Sequence, residues 1–460
     1  MKNIKNIISK ITIIICITVC FTNCGIYTPY TRPEVKTGGL YRDAELNPAD
    51  TNNIGNIGWR DFFTDKNLQE LIEKGLQNNV DIKSARLHIE QATAALVAAK
   101  LSFLPSFALP FEGTVGSFRG GTAQYTYTLP IAASWEIDVF GKLFNAKQRT
   151  KAMYEQTLEV KQLVQTQVMA GIANLYYTLL MLDAQYEIMQ STAQNWQDNV
   201  SMMRELKQAG MSNEAAVAQS EATYFAIEAG LFDVSKAIYE IENTLSVLLG
   251  EVPGQIKRGK LSEQNMLFDI KTGIPLQLLA NRPDIKVAEL GLKQAFYATN
   301  EARAAFYPSL VINANGSWTN LVNNTIVNPA GILLGALGQL TQPLFARGAL
   351  TARLKISKTA REEALLHFQQ SLLNAGREVS NAMKQIETAK SKRAFRQQQI
   401  AALEMATASS EALYNYGSAV YLDVLYAQQT LLAAQITQTT DRFEEIQGII
   451  NLYRALGGGR

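Results

Sequence analysis

The chain has 460 residues, of which 47% are hydrophobic, and its formal net charge is +2. Residues 1–23 hold three lysines and no acidic residue, so the remainder carries +2 − 3 = −1 and has no electrostatic basis for binding nucleic acid. The cysteines, Cys16, Cys20 and Cys24, all lie in or next to this segment, so residues 25–460 offer no disulfide and no thiolate metal site.

The N-terminus has the parts of an export signal. Residues 1–23 begin with lysines and continue into an apolar run that is too short to span a bilayer. Cys24 and Gly25 resemble the acylation site of a bacterial lipoprotein, although Asn23 replaces the usual Gly, Ala or Ser. Two outcomes stay open, lipid attachment at Cys24 and signal cleavage without lipid. Residues 24–60, rich in Pro, Gly, Asn and Asp, are predicted to form an extended N-terminal tether.

Two long helices dominate the rest of the chain. Segment 142–209 has no proline, and its apolar residues from Val168 recur at alternating spacings of three and four, which predicts a coiled-coil seam. Such a helix would be on the order of 100 Å long. Segment 349–416 repeats the pattern, since Ile172 and Val379, 207 positions apart, occupy equivalent places in the seam. The chain is therefore predicted to be a tandem duplication.

The duplication assigns the other helices in pairs. Pro105 and Pro308 each end a helix, because the residue before a proline disfavours helical backbone. Gly210 and Gly417 end the long helices, and a further helix follows each. The predicted order is repeat 1 over 61–250 (helices 80–104, 142–209 and 211–249), an equatorial linker over 251–282, repeat 2 over 283–457 (helices 284–307, 349–416 and 418–456), and a frayed end at glycines 457–459.

Strands are predicted after each of these prolines, because the apolar period changes there to two. Between 123 and 139 one face is apolar, with Tyr125 and Trp135 near its ends, as in a membrane strand with interfacial girdles. A soluble sheet with one buried face is the alternative. The four strands are expected at about 106–118, 123–139, 309–319 and 331–344, with a turn at Gly120-Gly121.

Four strands cannot close a barrel in lipid, so several copies must share one. Three copies give twelve strands, the smallest plausible channel. The predicted fold class is mainly α with a membrane β-barrel: each chain supplies four β-strands and long coiled-coil helices, and a homotrimer forms a 12-stranded barrel on a 12-helix periplasmic tunnel.

Short motifs at the junctions of these elements carry a family resemblance. They are SWEIDVFGK at 134–142, NRPDI at 281–285, YPSL at 307–310, QPLF at 342–345, and YGS at 416–418 leading to LDVL at 422–425. Together they resemble the TolC-like outer-membrane efflux factors, in the lipoprotein branch that serves resistance-nodulation-division pumps. The resemblance covers essentially the whole chain after the signal.

The resemblance implies a place in the outer membrane of a Gram-negative bacterium and a passive exit duct for small molecules. The implied partners are outer-membrane lipid, a periplasmic adaptor (membrane fusion) protein and an inner-membrane resistance-nodulation-division transporter. It implies no catalysis, and no motif for a cofactor, a metal or a nucleophile appears in the sequence.

In this family the turns at Gly210 and Gly417 would be the periplasmic tips, where the tunnel constricts and the adaptor docks. Asp423 matches by spacing a family aspartate of the closed aperture. Three copies would make an acidic ring that favours cations, and a solvated helix carboxylate is the alternative. Tyr414 fits the family's gate tyrosine.

Three positions depart from the family's gate pattern. Ala419 and Tyr426 stand where a gating arginine and a second ring aspartate are expected, and Ala216 replaces an aspartate partner. The closed aperture is therefore expected to be held differently. The residues expected to take part are Glu214 or the aromatic side chains of Tyr414, Tyr416 and Tyr421.

Two other functions stay open from the sequence. The chain could be a duct for type I protein secretion, or a coiled-coil structural protein of the envelope without a pore. The paired alternating strands argue against the second. The cargo cannot be read from the sequence, because a wide water-filled duct selects weakly.

Overall fold

The computed structural model describes most of the chain: residues 27–34, 40, 55, 57–116, 122–264, 282–322 and 325–459. The predicted signal peptide, Cys24, most of the tether, Gly120-Gly121 and residues 265–281 of the linker lie outside the described residues. The chain divides into two compact units. Unit 1 combines Met1–Val35, His88–Leu158 and Val287–Gln369, and unit 2 combines Lys36–Leu87, Glu159–Lys286 and Gln370–Arg460.

The helices follow the same order in both halves of the chain. Two short helices, α1 (Trp59–Phe62) and α2 (Lys66–Asn78), come first. The repeats then supply α3 (Val80–Leu101), α4 (Lys142–Gln208) and α5 (Glu214–Leu249), followed by α6 (Pro283–Ala304), α7 (Ala349–Asn415) and α8 (Tyr421–Ala455).

The long helices α4 and α7 both have 67 residues. Helices α5 and α8 begin later than the predicted 211 and 418, because the glycine turns before them need several non-helical residues to reverse the chain. No helix in the described part of the chain combines the length and the apolar character that a membrane crossing requires.

Unit 1 contains an antiparallel sheet. Its strands are β1 (Ser106–Ala108), β2 (Glu112–Gly116), β3 (Gln124–Ile137), β4 (Ser309–Val322) and β5 (Thr325–Thr341). Strands β1 and β2 both pair with β3, which pairs with β4, which pairs with β5. The predicted strand at 106–118 is thus divided into two segments.

The division has a simple cause. Strands β1 and β2 pair with β3 in one continuous register, Ala108 opposite Ala132 and Glu112 opposite Thr128, which sets Pro110 opposite Pro130. Proline has no backbone N–H, so neither residue can donate to the ladder there.

The register also sorts the side chains between the two faces of the sheet. Directly opposed residues share a face, and one face is formed largely by apolar side chains that are exposed in the single chain. Phe107 is 72% exposed and Leu340 67% exposed. The other face carries Thr126, Ser134, Glu136, Asn313, Asn315 and Gln339, although Leu337, 65% exposed, interrupts it.

Unit 2 is built around the middle of α4. Tyr176 is fully buried, and its hydroxyl donates to Asp65 Oδ2 at 2.6 Å. Asp65 also caps α2 by accepting from the amides of Asn67 and Leu68. This network holds the short helix α2 against the first long helix.

A partly buried ion cluster holds the linker to the same helices. Arg258 donates to both carboxylate oxygens of Asp183 on α4, at 2.5 and 2.9 Å, and to Glu242 Oε1 on α5 at 2.5 Å. Its side chain is 16% exposed. Glu242 also accepts from the amide of Ile256 at 3.2 Å. The two carboxylates raise the pKa of Arg258, so the guanidinium stays charged.

The prediction of a frayed end at glycines 457–459 is wrong, because all three are buried. Tyr453 holds them: its hydroxyl accepts from the Gly459 amide at 2.8 Å and donates to the Ile57 carbonyl at 2.8 Å. Its ring stacks on Phe62 with centroids 3.9 Å apart. Burial raises the pKa of Tyr453 to about 12, so this hydroxyl remains a donor at physiological pH.

We expect Gly458→Ala to lower the free energy of unfolding by about 1–3 kcal/mol, as overpacking does in a fixed core. A Cβ at this position would lie 2.6 Å from ring carbons of Tyr453, and that ring is held on both sides. Thermal unfolding followed by circular dichroism measures the change. Gly254→Ala is the matched control, because its Cβ would meet nothing closer than 3.9 Å. Equal melting temperatures for the two variants would contradict the prediction.

Candidate functional site at the helix tips

Two turns of the same geometry end the long helices in unit 2. Gly210 has φ +74° and Gly417 has φ +71°, a left-handed conformation that suits glycine. In the first turn, the amide of Met211 donates to the carbonyl of Leu206 at 2.8 Å; in the second, Ser418 donates to Leu413 at 2.8 Å. Each is a Schellman C-cap, which we call a tip turn.

The helices that follow the tip turns begin differently. Asn213 caps α5, since its side chain accepts from the amide of Ala216 at 2.9 Å. Val420 stands at the corresponding place before α8 and has no side-chain acceptor. The ion pair of Lys207 with Glu214 adds a link across the first tip turn. Both partners are well exposed, so this link contributes little stability.

A buried hydrophobic cluster joins the helices on either side of the tip turns. This tip cluster consists of Ala193, Trp196, Met203, Val217, Ile227, Tyr421, Val424 and Leu425. It joins α4, α5 and α8, and Tyr414 of α7 packs against it.

Tyr421 is the polar centre of the tip cluster. Its hydroxyl donates to Asn199 Oδ1 on α4 and shares a 2.6 Å hydrogen bond with Ser220 Oγ on α5. The ring of Tyr414 lies 5.4 Å from that of Tyr421. Burial raises the pKa of Tyr421, so the phenol is neutral at physiological pH. One hydroxyl therefore connects the start of the second repeat's last helix to both helices of the first repeat's tip.

Side-chain pairs surround this centre. Arg204 donates to Glu221 Oε1 at 2.6 and 3.1 Å, linking α4 with α5. Gln429 on α8 donates to Thr223 on α5 at 3.3 Å. Gln428 donates to Glu411 at 2.7 Å and so links α8 with α7.

The structure separates the residues that the sequence had grouped at the gate. Tyr414 joins Tyr421 in the tip cluster, whereas Tyr416 is 86% exposed. Asp423 and Tyr426 lie three positions apart on the exposed side of α8, away from the cluster, and Tyr426 is 72% exposed. Asp423 is exposed as well. Asp423 and Tyr426 thus share a free surface.

Sequence reasoning missed Asn199 and Ser220 as partners of the tip. Ser220 is fully buried, although its neighbours in sequence give no sign of this. Ala216, noted only as a departure from the family pattern, packs against the tip cluster. Within the described part of the chain, no group of three or more His, Cys, Asp or Glu side chains could hold a metal ion.

The fold and the tips together define a class of protein. Long paired helices with matched C-caps, joined to a sheet whose apolar face is exposed, are the features of outer-membrane efflux channels. The chain belongs to the family described as "Outer membrane efflux protein", whose model matches residues 71–251 and 274–458. The two matched segments follow the two repeats.

Characterised relatives extend over nearly the whole chain. The cation efflux system protein CusC of Escherichia coli K12 is 28% identical over 454 residues, covering 96% of this chain and 98% of that protein. The probable outer membrane lipoprotein SilC of Salmonella typhimurium is 25% identical over 423 residues, covering 90% of both chains. A crystal structure of CusC superposes with a TM-score of 0.85 at 25% identity, covering 95% of this chain and 100% of that one.

These comparisons confirm the predicted family and fold class. The protein is an outer-membrane efflux channel, so efflux is favoured over protein secretion and over a structural envelope role. Its location is the outer membrane. The relatives are channel and efflux proteins rather than enzymes.

Proposed function

We propose that the chain acts as a homotrimer and forms the passive exit duct of a tripartite pump, without catalysis of its own. One observation carries the proposal: the apolar face of the unit 1 sheet is exposed, and β1/β2 and β5 are the outer strands of the described sheet. Outer strands left open in lipid would have unsatisfied backbone groups, which pairing between copies removes.

Native mass spectrometry of the detergent-purified protein tests the assembly, and planar-bilayer recording tests the pore. We expect the mass of three chains and a stable conductance. A single-chain mass without conductance would contradict the proposal and favour a structural envelope protein. To identify the cargo, the gene is deleted and the growth of the mutant is measured with drugs, metal ions, bile salts and dyes. We expect the mutant to be more sensitive to the compounds that the channel exports. If the mutant instead fails to secrete a protein, type I secretion is favoured.

The proposed partners are a periplasmic adaptor at the tip turns and, through it, an inner-membrane resistance-nodulation-division transporter. Apolar side chains at the turns support this surface, since Met211 is 74% exposed and Leu422 65% exposed. Exposed apolar groups gathered at one site indicate a partner. A photo-crosslinking residue in place of Met211 should capture the adaptor in cells, and capture only from the control position Glu404, on α7 outside the tip turns, would contradict the site.

The proposed aperture residues are Asp423 and Tyr426, with Tyr414 and Tyr421 holding the helices behind them. The proposal also includes Tyr416 beside the second tip turn and Glu214 after the first, and the exposure of both side chains supports it. The departures at Ala216, Ala419 and Tyr426 fit an aperture that is held by the tip cluster rather than by the family's salt bridges.

We expect Asp423→Asn to reduce the cation preference of the channel, because three carboxylates around a threefold axis attract cations and the variant removes all of them. The ratio of cation to anion permeability in planar bilayers measures the effect and should fall toward one. Glu404→Gln, an exposed carboxylate of α7 outside the tip turns, is the control and should leave the ratio unchanged. An unchanged ratio in Asp423→Asn would make this residue an ordinary solvated carboxylate.

The proposed membrane anchor is lipid attached to Cys24. The relative SilC is named a lipoprotein. The segment that follows Cys24 lies on unit 1, where Arg32 pairs with Glu289 at 3.2 Å and Tyr30 packs edge-on against Phe296 with centroids 5.5 Å apart. Mass spectrometry of the mature N-terminus should find acylated Cys24. An unmodified residue other than Cys24 at that end would contradict the anchor.

A further inference from the structure

A cavity of about 570 Å³ lies in unit 1 at the junction between β3 and α4. Its walls are mainly rings and aliphatic side chains, and its volume is that of an ordinary small-molecule pocket, about 300–1,000 Å³. The side chains that the argument uses are Tyr27, Phe103, Trp135, Ile137, Phe140 and Phe144.

The polar side chains of the cavity already have partners with one exception, the Tyr27 hydroxyl, which is buried without a partner among the described residues. Asp138 accepts from the amides of Leu143 at 3.1 Å and Phe144 at 2.6 Å, at the start of α4. Glu136 pairs with Lys142 at 2.8 Å, and the Trp135 indole N–H donates to the Phe103 carbonyl at 2.8 Å. Apart from that one hydroxyl, the walls offer an occupant apolar surface, and the occupant that fits is a hydrocarbon.

The cavity lies at the end of β3. Strand β3 stays paired with β4 as far as Ile137, whereas its pairing with β1 ends at Ser134. Phe144 is 47% exposed and Trp135 41% exposed beside the cavity. The trimer edges that the proposed function uses lie elsewhere, at β1/β2 and β5.

The chain itself leads to this cavity. Tyr27 is the first described residue, and its ring lies against the backbone of Gly141, at the cavity wall. Cys24 precedes Tyr27 by three residues, and three residues of extended chain span at most about 10 Å. The contacts of Tyr30 and Arg32 with unit 1 hold the segment in this position.

We propose that an acyl chain attached to Cys24 packs into this cavity. The inference rests on the proposed lipid attachment at Cys24. It adds that the protein binds part of its own lipid, so the lipid fixes the N-terminal segment at the strand-to-helix junction instead of lying wholly in the membrane.

Photo-crosslinking in membranes tests the inference. Phe144→p-benzoylphenylalanine places a reactive ketone at the cavity, and mass spectrometry of the digest identifies what it captures. We expect an adduct that joins the Phe144 peptide to the N-terminal lipopeptide through an acyl carbon. The control is Phe111→p-benzoylphenylalanine, which is 71% exposed in the stretch between β1 and β2 and should capture free phospholipid.

The outcomes distinguish the lipid anchor at Cys24 from the binding of its acyl chain in the cavity. If the digest shows acylated Cys24 but the Phe144 position captures only phospholipid, the anchor stands and the cavity inference is overturned. If the mature N-terminus carries no lipid, both are overturned. A Cys24→Ala protein exported by a signal without lipidation provides a further check. Its adduct at position 144 should change from lipopeptide to phospholipid, and retention of an N-terminal peptide adduct would overturn the assignment to the acyl chain.

Discussion

Tyr421→Phe is expected to raise the resting conductance of the channel in planar bilayers about ten-fold. The substitution keeps the ring in the tip cluster but removes the hydroxyl that links α8 to α4 and α5. Asn199 and Ser220 then lose a partner at a buried site, which costs about 1–3 kcal/mol. The cost applies to the closed state, in which these hydrogen bonds form. Each 1.4 kcal/mol lost from the closed state raises the ratio of open to closed channels about ten-fold.

Tyr239→Phe is the matched control, because it makes the same chemical change on a ring of α5 that is 65% exposed and lies outside the tip turns. It should leave the conductance at the level of the unmodified channel. Trimer mass and melting temperature are recorded for both variants, so that a folding defect is not mistaken for opening. If the Tyr421→Phe trimer is intact and its conductance is unchanged, this hydroxyl does not hold the aperture closed.

Arg258→Leu is expected to lower the free energy of unfolding by about 3–5 kcal/mol, the largest stability effect predicted for this chain. The substitution removes one partner of a largely buried cluster and leaves Asp183 and Glu242 without their cation. Removing one side of such a pair costs more than the pair contributes, because the remaining charge is buried and uncompensated. Thermal unfolding gives the overall loss, and hydrogen exchange should show it around the linker.

Lys260→Leu is a close control. Lys260 also pairs with α4, through Glu187 at 3.1 Å, but its side chain is 63% exposed and that of Glu187 is 62% exposed. Such surface pairs contribute about 0–1 kcal/mol. Equal losses in the two variants would mean that burial of the Arg258 cluster does not determine its contribution.

The long helices were predictable because their signal is long. An apolar seam that stays in phase over dozens of residues, without proline, has few alternative explanations, and α4 and α7 each end within one residue of the prediction. The divided strand was not predictable. Pro110 is visible in the sequence, but its effect depends on Pro130 standing opposite, and only the register supplies that fact.

At the tips, too, contacts between residues that are distant in sequence could not be predicted. Gly210 and Gly417 could be found from sequence, since a glycine after a long helix is a local signal. Tyr421 is 222 positions from Asn199 and 201 from Ser220, and short polar residues on a helix ordinarily indicate a solvated face. The burial of the C-terminal glycines could not be predicted for a related reason. The tyrosine that holds them is itself fixed by residues that are distant in sequence.

The facing prolines have a consequence for assembly in lipid. A gap in a ladder normally leaves amide hydrogens with no acceptor, and hydrocarbon offers none. Strand β3 stays paired with β4 on both sides of Pro130. The backbone nitrogen of Pro130, which carries no hydrogen, therefore faces Pro110. Both donors are missing at the same place. The interruption in the ladder therefore leaves only carbonyl groups without a partner, and an amide introduced by Pro110→Ala would face the free carbonyl of Pro130.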